Sequence, residues 1–352
     1  MKTEVINLLS KNIKQLKKEE IENLLEVPPT QEMGDFAFPT FSLASKLKKN
    51  PAEIAYDLSK KIKTTEEIEK IEAKGPYINF FVDRKALAKN LIKDILKKGN
   101  NYGNNNSGKG KKIVIDMSSP NIAKPFGIGH LRSTIIGNSL SKISESQGYK
   151  TVKINYLRDW GTQFGKLIVG YKRFGNEAKL KKDPVKHLLD VYVKGNLEEY
   201  ESEARGWFKK LEEGDKEATK LWEKFKELSI KEFNKLYSML GVEFDVTSGE
   251  SVYNNKMKPF IRELRNKKLL KKSEDALIVD LNKYNLGIVL IEKSDGTTLY
   301  ATRDIAAAVL RKKKYNFERM FYEVGSEQTL HFRQLFKILE LMGHKWAKNC
   351  VH

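Results

Sequence analysis

Cysteine and long apolar runs are what this chain of 352 residues has least of. Its single cysteine, Cys350, excludes an internal disulfide and a zinc site built from several cysteines. We therefore expect the chain in a reducing compartment, the cytoplasm. No apolar run approaches the roughly 20 residues that cross a bilayer. Residues 1–20 alternate charge and lack the apolar stretch of a signal peptide, so the sequence predicts no membrane partner.

Acidic side chains are also scarce relative to basic ones. Lys and Arg number 65 against 46 Asp and Glu, which gives a net charge of +19 spread along the chain. Such a surface attracts polyanions and favours a nucleic acid partner, with association that weakens as salt rises. A coding bias towards Lys and Asn is the alternative explanation of this charge. The length allows two or three domains, each with its own core.

The first hundred residues predict a small α+β domain. GPYINFFVD at 75–83 is typical of a strand, and three segments carry apolar residues at helical spacing. The Gly- and Asn-rich stretch at 100–112 then has the composition of a flexible linker. We therefore place one domain at residues 1–105 and a second at residues 106–352. The predicted helices cover residues 3–18, 51–63 and 84–98.

After the linker, strands alternate with helices. KIVIDMS at 112–118 is a short strand pattern, an amphipathic helix closed by Gly148 follows, and TVKINYL at 151–157 is a second strand. This alternation predicts a parallel, doubly wound sheet with right-handed crossovers. Long charged helices and two strand patterns form a predicted insertion at about 172–293 between two halves of the sheet. Its expected core anchors are Trp207, Phe208, Trp222 and Phe225.

One segment, residues 118–134, lies between the first strand of this sheet and its helix. Ligands of an open parallel sheet bind at the carboxyl ends of the strands, where the next helix offers free N–H groups to phosphate. Gly127 and Gly129 let the backbone approach a flat or anionic ligand, since no Cβ intervenes. His130 opens the helix, where an imidazole can donate to an oxygen that gains charge when an α-phosphate is attacked. The alternative is a turn that uses Gly and Pro for geometry alone.

The string SSPNIAKPFGIGHLRST is similar to the HIGH signature of class I aminoacyl-tRNA synthetases, and its flanks resemble those of the arginine enzymes. The resemblance extends through GDFAFPTFSLA, GPYINFF, NYLRDWGTQFGKLI, SDGTTLYATRDIAAA and EVGSEQTLHFRQLFKIL. It implies an α/β fold, a HIGH-type, Rossmann-like nucleotide-binding parallel sheet with a helical insertion, preceded by a small α+β domain. Two positions depart from the family pattern: Gly127 replaces the usual His, and Arg158 replaces a common Gly.

The resemblance implies an arginine–tRNA ligase, which uses ATP to make arginyl-adenylate and transfers arginine to the terminal ribose of tRNA(Arg). Magnesium accompanies ATP, and no tightly bound metal is expected. Lys124 is the candidate to supply the phosphate charge that Gly127 lacks, and the alternative for Lys124 is a solvated turn lysine. Family members usually need bound tRNA before they activate arginine. The resemblance assigns Lys124, Gly127, Gly129 and His130 to ATP binding, and Lys124 and His130 to catalysis.

A guanidinium is planar and permanently charged and carries five donors, so a selective pocket needs carboxylates and a flat or hydroxyl-bearing neighbour. Asp116, Tyr300 and Asp304 match the family positions with this chemistry, whereas Asn121 and Gln328 match residues that hold the α-amino and carboxylate groups. The alternative for buried acids is a helix cap or a salt bridge. Trp160 and Phe164 are expected to pack rather than bind. The full set assigned to arginine is Asp116, Ser118, Asn121, Tyr300, Asp304 and Gln328.

In the amino-terminal domain, Tyr77 and Asn79 match residues that contact the outer corner of the tRNA, and the alternative for Tyr77 is a strand core position. The family continues with a K-M-S-K-like loop and an anticodon-binding domain, which we expect to be missing from this chain. The expected partners are arginine, ATP and tRNA(Arg), bound by a monomer. Two other functions stay open: a non-catalytic tRNA-binding fragment or relative, which Gly127 favours, and another nucleotidyltransferase of the same superfamily that acts without tRNA.

Overall fold

The structure is a computed structural model that describes residues 1–293 and 300–352, and the chain divides into two units, Met1–Tyr102 and Gly103–His352. The first unit packs helices on an antiparallel sheet, in which β1 (Phe36–Pro39) and β2 (Ile68–Lys74) flank β3 (Tyr77–Val82). Apolar side chains of the sheet and the helices share one core. The helices are α1 (Lys2–Asn12), α2 (Lys18–Leu24), α3 (Phe41–Leu47), α4 (Pro51–Lys61) and α5 (Arg84–Lys98).

Local capping explains where these helices begin. The Asn50 side chain accepts from the Ala52 N–H group before α4, and the Asp83 carboxylate accepts from two N–H groups at the start of α5. The predicted helix at 84–98 is confirmed. The predicted helix at 3–18 is wrong beyond Asn12, because the backbone becomes extended at Ile13, whose side chain is buried in the core.

The second unit contains the predicted parallel sheet, and its five strands lie in the order β11-β10-β4-β5-β6. The central strand is hydrophobic on both faces, as expected for a strand covered by helices on each side. Because all five strands run parallel, their carboxyl ends lie at the same edge of the sheet. The strands are β4 (Lys112–Met117), β5 (Lys150–Leu157), β6 (Val246–Gly249), β10 (Arg319–Glu323) and β11 (Cys350–Val351).

The helix after β4 is α6 (Ile128–Ser146), and Gly148 follows it with a φ of 83°, in the left-handed region that glycine adopts freely. The predicted flexible linker at 100–112 is wrong in its second half. Asn105 and Gly108 donate backbone hydrogen bonds to the carbonyl oxygens of Ser146 and Gln147, at 2.9 and 2.8 Å, at the end of α6. This part of the linker is therefore held against the sheet unit.

A helical layer connects β5 to β6. Its core contains Phe164, Trp207, Phe208 and Phe225, which confirms three of the four expected anchors as buried residues, and Trp222 packs against the same core while partly exposed. The predicted insertion at 172–293 is not continuous, because β6 within it joins the parallel sheet next to β5. The helices are α7 (Gln163–Phe174), α8 (Glu177–Lys182), α9 (Pro184–Gly195), α10 (Glu201–Glu212) and α11 (Lys216–Leu240).

The chain after β6 adds a second small sheet before it returns to the parallel one. Three antiparallel strands in the order β7-β8-β9 follow a short helix, and their apolar face joins the large core of this unit. Within residues 1–293 and 300–352, no helix combines the length and the apolar character that crossing a bilayer requires. The elements are α12 (Lys258–Asn266), β7 (Leu270–Ser273), β8 (Ala276–Asp280), β9 (Ile288–Glu292), α13 (Tyr300–Tyr315) and α14 (Thr329–Leu341).

Candidate functional site

The loop after β4 is held in a strained shape by α11. Ser118, Ser119 and Ala123 have positive φ angles of 73°, 49° and 59°, a region that non-glycine residues rarely adopt. The Ser118 hydroxyl lies 2.8 Å from the Tyr237 hydroxyl, and the Ala123 N–H group donates to the Ser229 hydroxyl at 3.0 Å. Because its hydroxyl is buried and already bonded, Ser118 presents no free side chain, and its assignment to arginine stays a prediction.

The start of α6 is open and carries the imidazole of His130. A Cβ atom at Gly127 or Gly129 would meet no atom within 4 Å, so packing does not require glycine at these positions. The Gly127 N–H group donates to His130 Nδ1 at 3.1 Å. Burial lowers the pKa of His130, and the charge of Arg158 lowers it further. A neutral ring that accepts at Nδ1 carries its proton on Nε2, which can donate to a ligand oxygen.

A cleft of about 1210 Å³ lies beside this edge of the sheet. It brings together three residues that sequence analysis assigned to ligands, Asn121, Lys124 and Tyr300. The Lys124 ammonium group lies 5.3 Å from the centre of the Tyr192 ring, a cation–π distance. The described residues contain no group of three or more His, Cys, Asp or Glu side chains arranged to hold a metal ion. Asn121 and Lys124 thus contribute an amide and a cation to a cleft that carboxylates, among them Glu201 and Glu250, also line.

Tyr300 and Asp304 lie four positions apart on α13, the spacing that predicted they face the same way, and both contact His331. The centre of the Tyr300 ring lies 5.0 Å from that of His331, and His331 Nε2 lies 2.7 Å from Asp304 Oδ2. Gln328 and His331 lie on the carboxyl-terminal side of β10, Gln328 at the end of the short 3-10 turn Ser326–Gln328 and His331 in α14. The first six residues of the SDGTTLYATRD string, 294–299, lie outside the described residues.

Asp116 forms a buried ion pair with a residue of this chain. Arg311 Nη1 lies 2.7 Å from Asp116 Oδ2, and the Ser119 hydroxyl donates to Asp116 Oδ1 at 3.1 Å. Burial raises the pKa of Asp116, whereas the Arg311 guanidinium opposes this shift. The charge of Asp304 also raises the pKa of Asp116, so the two acids lie within electrostatic range. The salt-bridge alternative therefore describes Asp116 here, and its contact with a ligand stays a prediction.

Sequence analysis missed two residues that join these groups. Arg158 Nη2 donates to Gln328 Oε1 at 2.9 Å, and Arg158 Nη1 lies 3.4 Å from Glu250 Oε1. Burial raises the pKa of Glu250 to about 7, and Arg158 opposes this shift. Both residues line the cleft. The unusual residue at position 158 was a visible signal for Arg158, whereas nothing in the sequence around Glu250 marked it.

The two aromatic residues expected to pack do so. Phe164 is buried in the helical core, and the Trp160 ring packs at right-angled geometry against Trp222, with 5.7 Å between ring centres. Next to them, the buried Asp159 carboxylate accepts from Lys226 Nζ at 2.6 Å. This ion pair ties α11 to the carboxyl end of β5 and so fixes one wall of the cleft.

In the first unit, Tyr77 and Asn79 lie on the central strand β3. The half-buried Tyr77 ring packs edge-on against Phe41, with ring centres 5.9 Å apart, and more than half of the Phe41 surface is exposed. Asn79 is buried, opposite Ala37 on one neighbouring strand and Glu72 on the other. Tyr77 and Phe41 thus present an aromatic pair, whereas the Asn79 amide is not presented at the surface. Both tRNA assignments stay predictions.

Two family models match this chain. "tRNA synthetases class I (R), catalytic domain" matches residues 91–352, and "Arginyl tRNA synthetase N terminal domain" matches residues 3–82. Among curated proteins, the chain is 52% identical to the arginine–tRNA ligase of Clostridium perfringens. The alignment has 353 positions and covers 98% of this chain and 62% of that protein. It is 51% identical to the arginine–tRNA ligase of Clostridioides difficile, in an alignment of 356 positions that covers 100% of this chain and 63% of that protein.

Solved structures agree. The arginyl-tRNA synthetase of Plasmodium falciparum matches with a TM-score of 0.63 and 25% identity over 97% of this chain and 61% of that chain. The enzyme of Thermus thermophilus shares the fold, with a TM-score of 0.63 and 20% identity over 93% of this chain and 60% of that chain. The chain spans 62–63% of the length of the curated relatives named above. It belongs to the class I arginyl-tRNA synthetase family.

Proposed function

We propose that this chain is the arginine-activating part of an arginine–tRNA ligase, which makes arginyl-adenylate from arginine and ATP and transfers the arginine to the terminal ribose of tRNA(Arg). The observation that carries the proposal is the cleft itself. Asn121, Lys124 and Tyr300 are distant in sequence and line it together, at the edge where parallel sheets bind ligands. Family membership supports the choice of arginine, ATP and tRNA as substrates.

In the activation step, the arginine carboxylate attacks the α-phosphorus of ATP in line and pyrophosphate leaves with magnesium. No protein nucleophile is needed, so the chain contributes positioning and charge. The free N–H groups of α6 and the Nε2 proton of His130 can donate to phosphate oxygens. Lys124 supplies a cation at the cleft wall, in place of the imidazole that Gly127 lacks.

Guanidinium recognition is assigned to Tyr300 and Asp304, with Asp116 as a third group. The hydrogen bond from His331 holds the Asp304 carboxylate and leaves its second oxygen for a ligand donor. Asp116 is paired with Arg311, so a ligand guanidinium can bind Asp116 only if it shares the carboxylate with Arg311 or displaces Arg311 from it. Lysine has no planar fork and would leave acceptors unpaired, which disfavours it.

The proposals for tRNA binding, cellular location and oligomeric state rest on composition and on the first unit. The net charge of +19 and the aromatic pair of Tyr77 and Phe41 support a tRNA-binding role for residues 1–105. The single cysteine supports a cytoplasmic location, and we propose a monomer.

Arginine-dependent exchange of pyrophosphate into ATP tests the proposed activity on this chain, with and without tRNA(Arg). We expect exchange that depends on arginine and increases when tRNA is present. Lys124→Ala should abolish this exchange. A control variant, Lys209→Ala, changes a lysine of the same cleft on the helical wall and should retain exchange.

Three outcomes separate the candidate functions. Exchange with arginine supports the ligase. Binding of tRNA without exchange supports the non-catalytic relative, which the glycine at position 127 favours. Equal exchange by the wild-type chain and Lys124→Ala would remove the role proposed for Lys124.

A further inference from the structure

Arg158 is held at the centre of the candidate site by its own backbone. Its N–H group donates to the Pro120 carbonyl at 3.1 Å, and its carbonyl accepts from the Ile122 N–H group at 3.3 Å. These bonds bridge the end of β5 to the loop that carries Asn121. The side chain therefore extends into the cleft from a fixed base, and about a third of its surface is exposed there.

The Arg158 guanidinium orients the Gln328 amide. Because Nη2 of Arg158 donates to Oε1 of Gln328 at 2.9 Å, the amide oxygen faces Arg158 and the amide nitrogen points away from it. An amide nitrogen only donates, so the orientation presents Gln328 as a donor group suited to an anion. Glu250, 3.4 Å away, holds the other end of the guanidinium fork. The Arg158 guanidinium thus connects the Glu250 carboxylate to the Gln328 amide.

The charge of Arg158 also distinguishes the two ends of a bound arginine. Its field reaches the start of α6, since it lowers the pKa of His130. A ligand carboxylate is attracted to this region, whereas a ligand guanidinium is repelled because it has the same sign. Asp304, which is bonded to His331, attracts the guanidinium end of the ligand. The charges favour one orientation of the ligand over its reverse.

We propose that Arg158 is a positioning residue that sets the orientation and affinity of bound arginine, through Gln328 and through its charge at the carboxylate end of the ligand. The inference rests on the proposed arginine site and goes beyond it, because it gives a role to a residue at which the chain departs from its family pattern.

The test is calorimetric titration of this chain with arginine and with agmatine, which is arginine without its carboxylate. We expect Arg158→Met to weaken arginine binding roughly 10- to 100-fold, the range for losing a charge-assisted hydrogen bond, and to leave agmatine binding unchanged. Arg158→Lys keeps the charge but not the fork and should give an intermediate loss. Asp304→Asn, at the other end of the ligand, should weaken both ligands.

The matched control is Arg205→Met, which removes another arginine of the same cleft. Arg205 is paired with Glu201 on its own helix and is largely exposed, so arginine affinity should stay within about twofold of wild type. If Arg158→Met weakens arginine and agmatine equally, the effect is structural and the inference is wrong. If it weakens neither while the wild type binds arginine, the inference alone fails. If the wild-type chain binds no arginine, the proposed function fails and the inference with it.

Discussion

Glu250 makes the stability of the second unit depend on pH in a direction opposite to that of most paired acids. Burial raises its pKa from 4.5 to about 7, which corresponds to about 3 kcal/mol favouring the protonated carboxyl in the folded chain. Above pH 4.5 the unfolded chain has lost this proton and the folded chain keeps it, so the contribution of Glu250 to stability is present at low pH and is lost as pH rises through 7. Burial is the main cause of this shift; the charges of Asp304 and Asp159 add to it, and those of Arg158 and Arg303 oppose it.

The perturbation is Glu250→Gln, which keeps the shape and removes the charge. The free energy of unfolding of the variant minus that of the wild type should grow by about 2 to 3 kcal/mol between pH 5 and pH 8. Urea unfolding followed by tryptophan fluorescence is the assay. It reports on the second unit, because the 4 tryptophans of the chain lie at positions 160, 207, 222 and 346.

The control is Glu213→Gln, which removes an exposed carboxylate 3.9 Å from Lys209 and should show no such growth. A difference for Glu250→Gln that stays constant from pH 5 to pH 8 would refute the reasoning. A variant that is less stable than the wild type at pH 8 would show that the ion pair with Arg158 outweighs the cost of burial.

Two further pairs of substitutions test the contacts that build the second unit. Gly170→Ala should destabilise the second unit by about 1–3 kcal/mol, because the added Cβ would lie 2.0 Å from a backbone oxygen of α9. The control is Gly206→Ala, whose Cβ would meet no atom within 4 Å and should stabilise α10 by about 0.5–1 kcal/mol. Urea unfolding measures both variants, and equal effects would contradict the close contact between the helices. Arg311→Met should lower the free energy of unfolding by about 3–5 kcal/mol, because it leaves the Asp116 carboxylate buried and unpaired. Adding Asp116→Asn to this variant should restore much of the lost stability. If it restores none, the unpaired charge is not the cause of the loss.

Local patterns predicted the elements whose residues carry their own signals. The strand, turn and helix around residues 112–146 have apolar strand residues, a glycine-bearing turn and an amphipathic helix, and all three appear where expected. The pairing of Tyr300 with Asp304 followed from helical spacing, and both contact His331. Such signals depend on neighbours within a few residues, so they can be seen in the sequence.

The features that sequence analysis missed depend on distant partners. Strand β6 has only four residues, VTSG, with a single strongly apolar side chain, and its identity comes from pairing with β5. The bond between Arg158 and Gln328 joins residues 170 positions apart, and the pair of Asp116 with Arg311 joins residues 195 apart. No local pattern encodes these contacts. The raised pKa of Glu250 follows mainly from its burial, which the neighbouring residues in the sequence do not reveal either.

The most direct test of the proposed site is a crystal structure of this chain with arginine bound. We predict that the ligand lies in the cleft lined by Asn121 and Tyr300, with its guanidinium beside Asp304 and its carboxylate beside Gln328. Arginine bound with the reverse orientation, or at a different surface of the second unit, would contradict the assignment of this cleft.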